Sequence, residues 1–267
     1  MTKSAILFQL VFLFIFQNAQ AFIDNEATLE ELNGMAALNC SGALIDVGGR
    51  PQDNAVILTN GHCARQPFLK PNEVVTNIEY NRTPIKITAG KKKVTIQSAR
   101  VLYATMHQTD LALIELDQTN GDLADLGAKF SKIAEYALSA GTEIRVTSGY
   151  WREKQDCKIL YFVDRLNEGD WRFTNSQALS EGCKVRGGYS GSPIFNHADG
   201  LIIGVVNTVN DGSDKACAVN NPCEDHGRPE PVSHLGRGYG QDVSAVNSCF
   251  DSQGKFNLSL PSCKLPK

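Results

Sequence analysis

Gly187-Gly188-Tyr189-Ser190-Gly191-Ser192-Pro193-Ile194-Phe195 puts a serine in a turn between glycines, directly before an apolar run that reads as a strand. A serine nucleophile needs that setting, because its hydroxyl must stand clear while neighbouring backbone N–H groups point at a substrate carbonyl. The same string also fits an ordinary glycine- and serine-rich hairpin. The choice between the two rests on the rest of the chain.

Outward from this turn the chain is built of short strands. Ala43-Leu44-Ile45 and Ala55-Val56-Ile57-Leu58 flank a segment, 46–54, rich in Gly, Pro and Asp, and so read as a hairpin. Further strand signals follow at 74–80, 85–89, 94–101 and 111–116. None has helical periodicity, and their spacing favours a sandwich or barrel over alternating βα units. Polar residues 118–132 read as a connection between two halves. A second series of strands lies at 143–147, 159–164, 171–174, 194–196 and 201–209. Residues 210–238, dense in Asn, Asp, Gly and Pro, read as a long irregular loop that apolar burial cannot order.

The start of the chain reads as an export signal: Lys3, then an apolar run from Ile6 to Phe16, then Ala19-Gln20-Ala21 as a small-x-small cleavage site. The run is short for a bilayer span, and no second apolar stretch of that kind follows. The eight cysteines, Cys40, Cys63, Cys157, Cys183, Cys217, Cys223, Cys249 and Cys263, all follow the signal. An even count in an exported chain argues for disulfides, with the pairing open apart from the closely spaced Cys217 and Cys223 as a plausible local bridge. The spacings contain no CxxC pair or His/Cys cluster that would argue for zinc. The formal net charge is −3, and the one basic run, Lys91-Lys92-Lys93, reads as a solvated hairpin tip rather than a nucleic-acid patch.

Two upstream contexts give the serine its meaning. In Leu58-Thr59-Asn60-Gly61-His62-Cys63 a histidine ends an apolar strand. In Thr109-Asp110-Leu111-Ala112-Leu113-Ile114-Glu115-Leu116 an aspartate opens one. Acyl transfer needs a nucleophile, a base near neutral pKa and an acid that fixes the base's tautomer. With these segments and Cys40-Ser41-Gly42-Ala43-Leu44-Ile45, the chain resembles the chymotrypsin-like (trypsin-fold) serine peptidases from about Leu38 to Val246. The order histidine, aspartate, serine is that family's order, whereas doubly wound α/β hydrolases run serine, acid, histidine.

The resemblance implies an all-β fold of two antiparallel six-stranded β-barrels with the active site in the cleft between them. It divides the chain into a signal peptide at 1–21, an N-terminal extension or short propeptide at 22–37, a first barrel at 38–120, a linker at 121–133 and a second barrel at 134–267. It implies Ser190 as nucleophile, His62 as base, Asp110 as its orienting acid, and the N–H groups of Gly188 and Ser190 as an oxyanion hole. It also implies a Cys40–Cys63 bridge. The expected protein is a secreted (extracellular or periplasmic) monomeric serine endopeptidase with polypeptide substrates and a protein inhibitor as a further partner. It needs no cofactor and no metal, and has no nucleic-acid partner and no membrane attachment after signal cleavage. The competing readings are an inactive binding protein on the same scaffold, and an esterase or single-partner protease.

The departures from the family pattern are informative. Tyr189 stands where digestive and clotting members carry an aspartate that pairs with a newly cut α-amino group. No matching cut site precedes Cys40, so activation by that route is not expected. Ser192 makes the turn more like bacterial secreted glutamyl endopeptidase-like members. The substrate pocket should draw on Lys184 at its floor and Asn207, Thr208 and Val209 on its wall. A buried Lys184 would disfavour Lys and Arg side chains. The alternative is that a shifted loop turns it to solvent.

Overall fold

A computed structural model describes residues 25–64, 67–79 and 82–267; the expected signal peptide lies outside them. The strands are β1 Met35–Ala37, β2 Ser41–Ile45, β3 Asn54–Thr59, β4 Val74–Glu79, β5 Pro84–Ala89, β6 Lys92–Thr105 and β7 Leu111–Thr119, followed by β8 Glu143–Ser148, β9 Glu153–Glu168, β10 Trp171–Leu179, β11 Pro193–Asn196, β12 Ile202–Val209, β13 Cys223–Glu224 and β14 Gly238–Asp242. Two short helices interrupt them, α1 Gly61–Ala64 and α2 Asn120–Asp125. α2 opens on a capping box in which Thr119 and Asp122 satisfy each other's backbone N–H. Among the described residues no helix is long and apolar enough to cross a membrane.

The expectation of two matching six-stranded barrels is corrected by the strand pairing. Each half is a seven-stranded antiparallel sheet, and we assign a closed six-stranded barrel to the C-terminal half alone. There β10, β14, β12, β11, β8 and β9 follow one another, β9 returns to β10, and β13 adds a seventh strand on β9. The N-terminal sheet runs β4-β6-β5-β1-β2-β3-β7, with a further pairing of β6 to β7. The reason lies in β6. Its first residues pair with β5 (Ala89↔Lys92 to Pro84↔Gln97), while its later residues serve both β4 and β7. One fourteen-residue strand therefore carries three neighbours, and the largely exposed β4 lies at the sheet's edge. Likewise the 210–238 segment, read as irregular, contributes both β13 and the start of β14.

Apolar alternation explains which faces meet. Leu44, Ile57, Ala112 and Ile114 pack inward in one core, and Ile144, Val146, Ile159, Ile194 and Val206 in another. A third apolar cluster joins the halves to the chain's end, with Leu58, Leu113, Ile202, Val205, Val243 and Leu265 in contact. Fully burying each such side chain contributes about 1.5–3 kcal/mol. The halves are also stitched by backbone. The Ser41 N–H donates to Ser190 O at 2.8 Å, and the Ser41 and Ser148 hydroxyls meet at 2.9 Å. The cysteines form four bridges: Cys40–Cys63, Cys157–Cys183, Cys217–Cys223 and Cys249–Cys263. The first closes a separation of 23 residues, a constraint on the unfolded chain of about 3 kcal/mol, and ties β2 to α1.

Candidate active site

α1 exists because β3 must stop. Gly61 opens it at a point where any Cβ would strike Thr105 O, and the turn that follows presents His62. Asp110 sits in the loop that feeds β7 and is completely buried. Its two oxygens divide the work: Oδ1 accepts the His62 backbone N–H at 3.0 Å, and Oδ2 lies 2.5 Å from His62 Nδ1. Asn60 Nδ2 donates to Asp110 O at 2.8 Å, so the aspartate's own backbone is fixed as well. The carboxylate thus holds the histidine by its backbone and by Nδ1, and Nε2 is the ring nitrogen on the side away from the aspartate. Burial pulls the His62 pKa down, but the charge of Asp110, its hydrogen bond and the charge of Glu168 outweigh this and leave it above the ordinary 6.5.

Ser190 comes from the other half of the chain, in the turn before β11. Its hydroxyl donates to Asn207 O at 3.3 Å. Two glycines in the turn are obligatory. Gly188 has φ +91°, and a Cβ there would lie 2.9 Å from the Trp151 and Tyr150 rings; Gly191 has φ +76°, and a Cβ would strike Ser41 O and Thr59 Oγ1. Neither the Gly188 N–H nor the Ser190 N–H has a hydrogen-bond partner among the described residues. The Gly188 carbonyl, by contrast, is turned away and accepts from Ser41 Oγ at 3.0 Å.

Tyr189 faces into the protein. It is fully buried, donates its hydroxyl to Glu153 Oε2 at 2.7 Å and accepts from Gln155 Nε2 at 3.0 Å. Burial, then the hydrogen bond to Glu153, push its pKa up to about 12. Glu153 Oε1 in turn pairs with Arg186 at 2.9 Å, and the Arg186 guanidinium lies 4.2 Å over the Trp151 ring. Trp151 Nε1 donates to Gly187 O at 2.8 Å. The turn is therefore anchored at Gly187 and Tyr189, just ahead of the serine, without an α-amino group.

His62, Asp110 and Ser190 line one cleft of about 450 Å³. Asn207, Thr208 and Val209 of β12 line it too. Lys184 does not: its side chain is exposed, while Cys183 and Val185 on either side are buried and Val185 and Arg186 reach the cleft. Phe68, Trp171 and Glu168 are among the lining residues that were not singled out from sequence. Phe68 sets its ring 5.7 Å from that of His62 and 5.8 Å from that of Trp171. Glu168, 7% exposed, accepts from Thr208 Oγ1 and the Asn220 N–H, each at 2.8 Å. Burial pushes its carboxyl pKa up, opposed by those hydrogen bonds and by His62. Asn167-Glu168-Gly169-Asp170 is the polar tip of a hairpin, and nothing in that string distinguishes a charge that turns inward from one left in solvent.

For a metal, the one candidate cluster among the described residues is Cys40, His62 and Cys63. The Cys40–Cys63 bridge removes both thiolates as ligands.

Comparison with known proteins bears on the fold and the family. No curated protein sequence matches the chain. In fold it is similar to the MamO protease domain of Magnetospirillum magneticum, at 11% identity over 82% of this chain and 97% of that one, with a TM-score of 0.53. It is also similar to neuropsin, a serine protease of mouse brain, at 18% identity over 82% and 93%, with a TM-score of 0.50. Residues 40–205, which carry His62, Asp110 and Ser190, match the trypsin-like peptidase domain, and the chain belongs to that family.

Proposed function

We propose that the protein is a secreted serine endopeptidase that cleaves peptide bonds through a Ser190-His62-Asp110 triad and an acyl-enzyme intermediate. One observation carries the reading: a buried aspartate holds both the backbone and Nδ1 of a histidine that shares its cleft with a serine from the opposite half of the chain. In this reading Ser190 Oγ attacks the carbonyl carbon while His62 Nε2 accepts its proton. Asp110, remaining ionised, stabilises the imidazolium, which then returns the proton to the leaving amine. Water repeats the sequence on the ester. The unpartnered Gly188 and Ser190 N–H groups are disposed to receive the oxyanion, a contribution of about 3 kcal/mol per donor to the transition state.

Secretion rests on the signal-like first 21 residues and on the four disulfides. The likeness of the turn to glutamyl endopeptidase-like members carries no preference for acidic substrates here, since the lysine that would have supported one is exposed. Arg186, the next cation along, is already paired with Glu153.

The test is incubation of the mature protein and its Ser190→Ala variant with a fluorophosphonate label and a peptide library. Labelling and cleavage in the parent, both lost in the variant, are expected. A parent that is neither labelled nor active, with correct folding, would leave the scaffold as a binding protein.

A further inference from the structure

Glu168 is a buried charge in the cleft that the triad does not use. It closes β9, is 7% exposed, and lines the same cleft as His62 and Ser190. Its Oε1 is held by Thr208 and Asn220. Among the described residues its Oε2 has no hydrogen-bond partner, and no lysine or arginine pairs with the carboxylate. A carboxylate largely withdrawn from water is stabilised by a counter-charge or a full set of donors, and here only Oε1 has donors among the described residues while the residue lines the cleft. Among the described residues the neighbouring cations are already engaged. Arg186 is engaged by Glu153 and stacked on Trp151, and His62 is held by Asp110. Among the described residues the remaining charged group on the cleft wall is Asp211, at its exposed rim, which adds a further negative group.

What would complete the site is a cation that arrives with a ligand. The adjoining wall suits one on an alkyl stem: Trp171, Phe68 and Val219 line the cleft beside Glu168, and lysine and arginine bury their methylenes along such surfaces while delivering the charged head. The position is also defined. Glu168 lines the same cleft as His62, and the Phe68 ring connects His62 to Trp171. This wall is distinct from the Val185–Gly187 segment that leads into the Ser190 turn.

We propose that Glu168 forms a subsite for a lysine or arginine side chain of a polypeptide substrate, at a residue other than the one whose carbonyl Ser190 attacks. The proposal rests on the peptidase reading, and its test separates the two. Peptides carrying Lys, Arg, norleucine or Glu at each position around the cut are compared in the parent, Glu168→Gln and Glu168→Asp proteins. The readout is the kcat/KM ratio of cationic to norleucine peptide within each protein, so that a general loss of rate cancels. The parent should favour the cation by about tenfold or more, as one charge-assisted hydrogen bond allows. Glu168→Asp should keep that preference and Glu168→Gln should lose it. No cationic preference outside the residue before the cut, or one unchanged in Glu168→Gln, overturns the subsite.

If the parent neither cleaves nor labels, the peptidase reading fails and the subsite is judged by binding. Agmatine, a small guanidinium cation, is titrated calorimetrically into Ser190→Ala and into Ser190→Ala/Glu168→Gln. Binding weakened about tenfold in the second protein supports the subsite, and equal or absent binding overturns it. Should Glu168→Gln not fold, agmatine must bind Ser190→Ala about tenfold more tightly than neutral N-pentylurea does; equal affinity overturns the proposal.

Discussion

The two supports on either side of Ser190 are built on different principles. On the N-terminal side, Asp110 holds His62 by a charge that is completely buried, with both carboxylate oxygens engaged on one residue. On the C-terminal side, the serine's own turn is held by a neutral hydroxyl. Tyr189 sits between Gln155 and Glu153, and the ion pair that steadies Glu153 lies partly in solvent. In the proposed mechanism one support tunes a proton acceptor, and the other holds a shape. If that division is right, disabling the first should destroy chemistry at little cost in stability, and disabling the second should cost stability and slow the chemistry far less.

Asp110→Asn is the severest test. The amide can still accept the His62 N–H, so the fold should survive. The ring's tautomer and its developing charge lose their support, and kcat should fall by about 10⁴-fold, the size of effect the same exchange has in a Ser-His-Asp triad. Peptide hydrolysis read beside a thermal melt checks it. A loss of both activity and folding would erase the contrast.

Tyr189→Phe attacks the other support. It leaves the buried Gln155 Nε2 and Glu153 Oε2 short of a partner, at a cost of about 1–3 kcal/mol, visible as a lower denaturation midpoint. The turn loosens, so the fluorophosphonate labelling rate of Ser190 should drop by about tenfold, one to two kcal/mol of lost positioning. Unchanged stability would show that the hydroxyl does not hold the turn.

The pH profile should distinguish the two supports directly. His62 is raised above 6.5 in the folded protein, chiefly because Asp110 outweighs the effect of burial. The base must be neutral to accept a proton, so kcat/KM should climb along an acid limb whose midpoint lies above pH 6.5. The stability linked to His62 runs the other way: a raised folded-state pKa contributes fully below about 6.5 and is lost as pH rises through the folded value. Asp110→Asn should move the limb down, and Tyr189→Phe should leave it in place. A limb that shifts equally in both variants would mean that the supports are one coupled network.

How much of this could be read from sequence follows the same line. The strand runs at 43–45, 55–58 and 111–116 and the turns that end them are local, and so the candidates His62, Asp110 and Ser190, which line one cleft, could be picked out from their immediate neighbours. The sheet count could not, because nothing in Lys92–Thr105 announces that one strand will serve three partners. β1 and β14 escaped notice because Met35–Ala37 is three residues long and Gly238–Asp242 is glycine-rich. The cleft wall was harder still. Lys184 and Glu168 are both charged residues in polar turns, and which one faces the cleft is decided by tertiary partners: Cys183 and Val185 packing inward beside the first, and Thr208 and Asn220 capturing the second.

Arg186→Ala should have the smallest effect, and it tests whether the C-terminal support is a matter of shape or of charge. Arg186 faces solvent: its side chain is 45% exposed, and its ion pair with Glu153 is shared with water. Such pairs contribute about 0–1 kcal/mol, and the guanidinium stacked on Trp151 adds about 0.5–1 kcal/mol at an exposed site. Glu153 keeps the Tyr189 hydroxyl when Arg186 is removed, because that bond forms through its other oxygen. Stability should therefore fall by about 1 kcal/mol or less, with labelling of Ser190 slowed no more than about threefold, and the difference from the parent should shrink in high salt. A loss as large as that of Tyr189→Phe would mean that the arginine's charge, carried through Glu153, holds the turn, and the two supports would then share one principle after all.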